Sequence, residues 1–182
     1  MTAAICPAVR KNASRKFGTL PKRPGLSFKA RMLNKDYREM LQCLLEEKVR
    51  FLLVGAYALA VHGFPRATKD IDFFVSATRE NAANLVRALA RFGAPLDGIS
   101  ESDFSAPGMV FQIGNSPRRI DILTNISGIE FDHAYANRKN IFLEGLEIPV
   151  ISVSDLIANK RASGRSQDLA DVEKLESVSK RG

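Results

Sequence analysis

From Asn34 to Glu47 the apolar residues Tyr37, Met40, Leu41, Leu44 and Leu45 recur at helical spacing, which predicts a helix ahead of the first strand. Phe51–Val54 is then a continuous apolar run ended by Gly55, the pattern of a short buried strand, and Tyr57–Val61 can form a short helix before a turn at Gly63–Pro65. Ile71–Val75 predicts the second strand. Thr78 is placed to cap a helix whose Leu85, Leu89 and Phe92 share a stripe, with Gly93 as its stop. Met109–Ile113 and Arg119–Thr124 form a predicted hairpin split by Gly114–Pro117, and Phe142–Leu143 and Ile148–Val150 flank Glu144–Glu147 as another short pair. Ser152 or Ser154 caps a helix ended by Gly164, and Ser166 opens the last helix, with Leu169, Val172 and Leu175 expected to face inward. The order predicts an α/β (α+β) fold that ends in two C-terminal helices, without internal repeats.

A chain of 182 residues that is 45% apolar can bury one substantial core. It holds no 18-residue apolar run, and its opening lacks the apolar block of a secretory signal, so neither membrane insertion nor export is expected. Cys6 and Cys43 have no metal-type or disulfide spacing, and a cytoplasmic, reduced protein is the plain expectation. The net charge of +7 points at first to nucleic acid. Its distribution weakens that reading, because residues 1–31 contain eight Lys/Arg and no acid, which leaves 19 of the 27 bases against all 20 acids in the remainder. Residues 1–31, with Pro7, Pro21 and Pro24 and little periodicity, are expected to be a basic disordered extension of a domain spanning residues 32–182. Three accounts of the extension stay open: an inert segment preceding a start at Met32, an RNA-binding arm, and an organelle transit peptide.

One stretch breaks the apolar logic. In "TKDIDFFV" the second strand opens with Asp70 and Asp72. Residues two apart in a strand share a face, so Asp70, Asp72 and Phe74 lie on one side while Ile71, Phe73 and Val75 face the core. Close carboxylates repel unless a cation or a shared proton lies between them; pairing with Arg66 or Lys69 at a solvated strand end is the plain alternative. Asp121 in "RRIDILT" likewise points away from Ile120 and Ile122. If the two strands are neighbours, three carboxylates converge, a set suited to divalent cations that hold nucleotide phosphates. Gly55, fifteen residues before Asp70, ends a strand at a helix start, where phosphate oxygens can approach backbone N–H groups.

"VGAYALAVHGFPRATKDIDFFV" resembles the glycine and Asp-x-Asp motifs of the DNA polymerase β-like nucleotidyltransferase superfamily, and is similar to bacterial stand-alone members near the AbiEii toxin group. The resemblance continues through "RIDILT" and "PVISVSDLIANKRASGRSQDLADVEKL", spanning roughly Phe51 to Leu175. It implies a mixed-sheet nucleotidyltransferase core, an NTP substrate and Mg²⁺ or Mn²⁺. It gives Gly55 and Ala56 the phosphate loop, makes Asp70 and Asp72 metal ligands, and makes Asp121 a third ligand or the general base. Lys160 corresponds to a phosphate-neutralising lysine, and either Asp168 or Asp171 to the acid that follows it in the toxin group. Many relatives carry Gly-Ser or Gly-Gly where this chain has Gly55–Ala56, so a hydroxyl that could bind a terminal phosphate is absent.

Plain readings stand beside these roles. Lys160 can be a solvated residue late in its helix, and Asp168 a first-turn acid. His62 suits packing or capping better than catalysis, and Arg66 can clamp a phosphate or anchor Asp72. Phosphatases that use a strand-terminal Asp usually follow it with Gly-Thr, whereas Asp72 precedes Phe73–Phe74. The resemblance thus implies transfer of an NMP to an acceptor such as a tRNA end, a protein side chain or a small molecule, with an antitoxin or small helical partner in a toxin setting. The other class is a non-catalytic nucleotide- or RNA-binding regulator on the same fold.

Overall fold

The computed structural model describes residues 33–179; the expected extension over residues 1–31 and Cys6 lie outside the described residues. Asn34 accepts the Tyr37 N–H at 2.9 Å and so caps α1 (Lys35–Glu46), whose Tyr37, Met40, Leu41 and Leu44 are buried. β1 (Phe51–Val54) is buried at every position because it lies inside a sheet covered on both faces. Next come α2 (Gly55–Val61), β2 (Asp70–Val75) and α3 (Arg79–Phe92). As expected, Thr78 caps α3, and Gly93 ends it in the left-handed conformation at φ +78°. β3 (Val110–Ile113) and β4 (Arg119–Leu123) form the predicted hairpin. After them follow α4 (Phe131–Ala136), the hairpin of β5 (Lys139–Leu143) and β6 (Leu146–Val150), α5 (Val153–Ser163) and α6 (Ser166–Ser179).

The six strands form one mixed sheet in the order β3-β4-β2-β1-β6-β5. β2 runs parallel to β4 and β1 parallel to β6, while β1 and β2 are antiparallel. The apolar side of β2 buries Ile71, Phe73 and Val75 completely, and Phe51 meets Phe73 edge to face at 5.6 Å. α1 packs on α3, and α5 packs on both α6 and α2. The fold is therefore the α/β (α+β) arrangement ending in two helices that the pattern predicts, built on a mixed sheet as the resemblance implies. Among the described residues no helix is long and apolar enough to cross a membrane.

Three local details differ from the sequence reading, and a fourth resolves an alternative it left open. α4 and a 3-10 turn at Glu101–Phe104 are too short to leave a periodic signal. α4 matters to the site because Phe131 covers Phe74 edge to face at 5.1 Å, which makes the far end of the Asp70–Asp72–Phe74 face apolar. The β5–β6 hairpin is longer and tighter than expected: its turn is Glu144–Gly145, with φ +52° and +84°, and its outer residues Lys139 and Asn140 are exposed, so they carry no hydrophobic signature. Ser152, rather than Ser154, caps α5 through the Asp155 N–H. Finally, Leu169 is 45% exposed instead of facing inward. The stripe that α6 buries is Asp168, Asp171, Val172 and Leu175; its spacing is helical, but half of it is acidic.

Candidate active site

Because β2 and β4 are parallel and in register, Asp72 lies beside Asp121, and Asp70 beside Arg119. The pleat repeats every two residues, so all four side chains lie on one face of the sheet. The antiparallel partner of Asp72 on its other side is Val54, and the chain turns there into α2 at Gly55. A Cβ at residue 55 would sit 2.0 Å from Asp72 Oδ2 and 2.8 Å from its Cγ, and Gly55 has φ +64°. The glycine thus serves two purposes: it adopts a left-handed turn and leaves room for the Asp72 carboxylate. Gly55→Ala is expected to lose roughly 1–3 kcal/mol of stability from backbone strain and collision with the Asp72 carboxylate. Thermal melting checks this, and a variant with wild-type stability would show that the close approach is unnecessary.

The three carboxylates differ in their surroundings. Thr68 Oγ1 donates to Asp70 Oδ1 at 2.7 Å, and the Arg119 guanidinium donates to Asp70 Oδ2 at 2.6 Å. The same guanidinium grips Asp121 in a bidentate pair at 2.7 and 2.9 Å, with Gln112 Nε2 more distant at 3.3 and 3.4 Å. The Asp72 carboxylate accepts no hydrogen bond among the described residues. Burial first, and then repulsion from Asp70 and Asp121, push its pKa up to about 7 despite Arg119 and Arg165 nearby. Among the described residues no group of three His, Cys, Asp or Glu side chains is arranged around a metal position; the space between Asp70 and Asp121 holds the guanidinium. The donor set nonetheless suits a hard divalent cation: three carboxylates converge beside one arginine, and the half-buried Asp72 carboxylate has no donor.

On the opposite wall, α5 and α6 present a buried ionic cluster. Lys160, 3% exposed, donates to Asp168 Oδ1 at 2.7 Å and Asp171 Oδ2 at 2.8 Å. The solvated reading of Lys160 is therefore overturned, since its ammonium joins the two helices. Arg66 binds Asp171 Oδ2 at 3.2 Å, not Asp72. Asp171 is fully buried, and its Oδ1 has no hydrogen-bond partner. Burial raises the Asp168 pKa, but hydrogen bonds from Lys160, Ser163 and Arg165 outweigh it and hold the carboxyl below its ordinary value. Both acids that the sequence left undecided thus bind Lys160. His62 lies against β6, with Nε2 2.8 Å from the Ile151 carbonyl, and burial lowers its pKa, as its packing role implies.

A cleft of ≈ 320 Å³ separates these walls, lined by Gly55, Ala56, Asp70, Asp72 and Asp121 on the sheet side and by Lys160, Arg165 and Asp168 on the helix side. A second lobe of ≈ 310 Å³ shares Gly55, Asp72 and Arg165 with it and continues past Asn125 and Asn159. Sequence reasoning missed two of its cations. Arg119 was detectable, because it stands two residues before Asp121 in a strand and must share its face. Arg165, in the connection from α5 to α6, is held through Nε by Asp168 at 2.7 Å while its side chain is 79% exposed; no periodic pattern marks such a position.

A family model described as "Nucleotidyl transferase of unknown function (DUF2204)" matches residues 33–182. No curated protein matches the chain. Among solved structures, the lincosamide antibiotic adenylyltransferase LnuA, crystallised with lincomycin, is similar at 14% identity and a TM-score of 0.51, over 80% of this chain and 98% of that chain. A candidate nucleotidyltransferase from Thermotoga maritima, TM1012, is 19% identical with a TM-score of 0.47, over 79% of this chain and 88% of that chain. At these identities the likeness to LnuA concerns the fold alone.

Proposed function

We propose, from the premise that the chain belongs to the DUF2204 family of nucleotidyl transferases, that residues 32–182 transfer an NMP from an NTP to an acceptor hydroxyl. The observation that carries this reading is the alignment of Asp70, Asp72 and Asp121 on one face of two parallel strands, across a cleft from Arg165. Asp70, Asp72 and Asp121 would hold Mg²⁺ or Mn²⁺, which when bound neutralises charge at the α-phosphoryl group and acidifies the attacking hydroxyl. Gly55 and Ala56 offer backbone N–H groups at the start of α2 to the phosphates, where no serine hydroxyl is present. Arg165 is the exposed cation that faces the outer phosphates. Lys160, being buried, supports them through its hold on Asp168, and Arg66 supports the same junction through Asp171. Asp121 accepts the proton of the acceptor hydroxyl as its oxygen bonds to the α-phosphorus; the bond from the α-phosphorus to the bridging oxygen breaks, and pyrophosphate leaves.

Likeness to the toxin group favours a tRNA end or a protein side chain as acceptor, whereas LnuA acts on a lincosamide antibiotic, a small molecule. The test uses the full chain with Mg²⁺ or Mn²⁺ and separate tRNA, protein and small-molecule pools. Label from an α-³²P nucleotide is expected to become attached to one pool, while γ-label appears only in pyrophosphate. Release of γ-label as free orthophosphate would overturn the transfer chemistry. Metal-dependent NTP binding without turnover in any pool would favour the regulator class.

A further inference from the structure

Arg119 has no part in the proposed reaction, yet it occupies the centre of the carboxylate cluster. Its position is not a chance of a long side chain at the surface. It is paired across the parallel register with Asp70 and shares the strand face of Asp121, so the backbone delivers it between the two acids. The guanidinium places one donor on Asp70 Oδ2 at 2.6 Å and two on the Asp121 oxygens at 2.7 and 2.9 Å, while its side chain remains 32% exposed and that of Asp121 only 8%. These oxygen lone pairs are the ones a divalent cation would need. Asp72 receives none of the donors, and Thr68 holds the other Asp70 oxygen independently at 2.7 Å.

We propose that Arg119 is a built-in counter-cation of this cluster, filling the metal position in the metal-free protein and swinging toward solvent when a divalent cation enters. The inference rests on the proposed reading of Asp70, Asp72 and Asp121 as metal ligands. A guanidinium forms charge-assisted, planar hydrogen bonds that match two carboxylates but cannot satisfy three converging on one point. Metal entry must therefore break the bonds of Arg119 before it gains its own, and the cluster binds cations more weakly than its charge alone would allow. In return, the metal-free protein does not leave Asp70 and Asp121 facing each other unscreened. Arg119 is a positioning residue in this account, acting through the acids it releases.

The test is Mn²⁺ binding by calorimetry together with thermal melting, both without nucleotide, on wild type, Arg119→Ala and Asp72→Asn. Arg119→Gln, which keeps much of the length without the charge, replaces the alanine variant if that variant does not fold. The expected result is that loss of Arg119 tightens Mn²⁺ binding on the order of tenfold, equivalent to about 1.4 kcal/mol, lowers the melting temperature in chelator, and lets saturating Mn²⁺ recover the difference. If wild type binds Mn²⁺, Asp72→Asn does not, and loss of Arg119 leaves affinity unchanged or weaker, the counter-cation role fails while the metal site stands. If no form binds Mn²⁺, the reading of the carboxylates as metal ligands fails, and this inference with it.

Discussion

Replacing Asp72 by asparagine is expected to lower nucleotidyl transfer by at least about 10²–10³-fold, and Asp121→Asn to do the same, while both proteins remain folded. The two effects have different sources, and pH separates them. Asp72 is half-buried, and desolvation together with its two neighbouring carboxylates pushes its pKa up to about 7. A carboxyl whose folded pKa lies above its unfolded one favours the folded state when protonated, and that contribution is lost as pH rises through the folded value. In the metal-free wild type, stability attributable to Asp72 should therefore be full below about pH 4 and decline up to about pH 7. Asparagine does not ionise, so in chelator at pH 8 Asp72→Asn should be more stable than wild type, by about 2 kcal/mol, with the gap closing at low pH. Chemical denaturation at both pH values measures this. An Asp72→Asn protein that is less stable at pH 8 would mean that the carboxylate is stabilised by contacts rather than strained. Retention of metal-dependent transfer would place the chemistry elsewhere.

The largest effect on folding is expected from Lys160→Met, which should cost about 3–5 kcal/mol. The ammonium is 3% exposed and joins Asp168 and Asp171 across α5 and α6. Without it, Asp168 keeps its bonds to Ser163 and Arg165, but the fully buried Asp171 retains only Arg66 at 3.2 Å. The second replacement tests the cause: Lys160→Met combined with Asp171→Leu removes both charges and should recover a good part of the loss, since an apolar pair of similar volume tolerates burial better than a lone charge. Urea denaturation of the single and double variants decides. A single-variant loss below about 1 kcal/mol would show that the lysine behaves as a surface ion pair, and a double variant less stable than the single would show that Arg66 depends on Asp171.

The elements and the alternation within them were legible in the sequence because their causes are local. A period near 3.6 placed α1 and α3, Thr78 and Gly93 marked the ends of α3, and a period of two put Asp70 and Asp72 on the face opposite Ile71 and Phe73. The acidic stripe on α6 shows the boundary of that logic: burial of Asp168 and Asp171 depends on a lysine from another helix, so a search for apolar periodicity chose Leu169 instead. Which strand lies beside β2 is not local at all. Asp70 and Arg119 are 49 residues apart in the chain, and only the parallel register of β2 with β4 brings Asp72 beside Asp121 and drives a guanidinium between the acids. The sequence by itself determined which side chains leave the core, since that follows from backbone period and the cost of burying charge. The tertiary structure decided which of those charges meet, because pairing between distant segments is selected by the packing of the whole sheet and its helices.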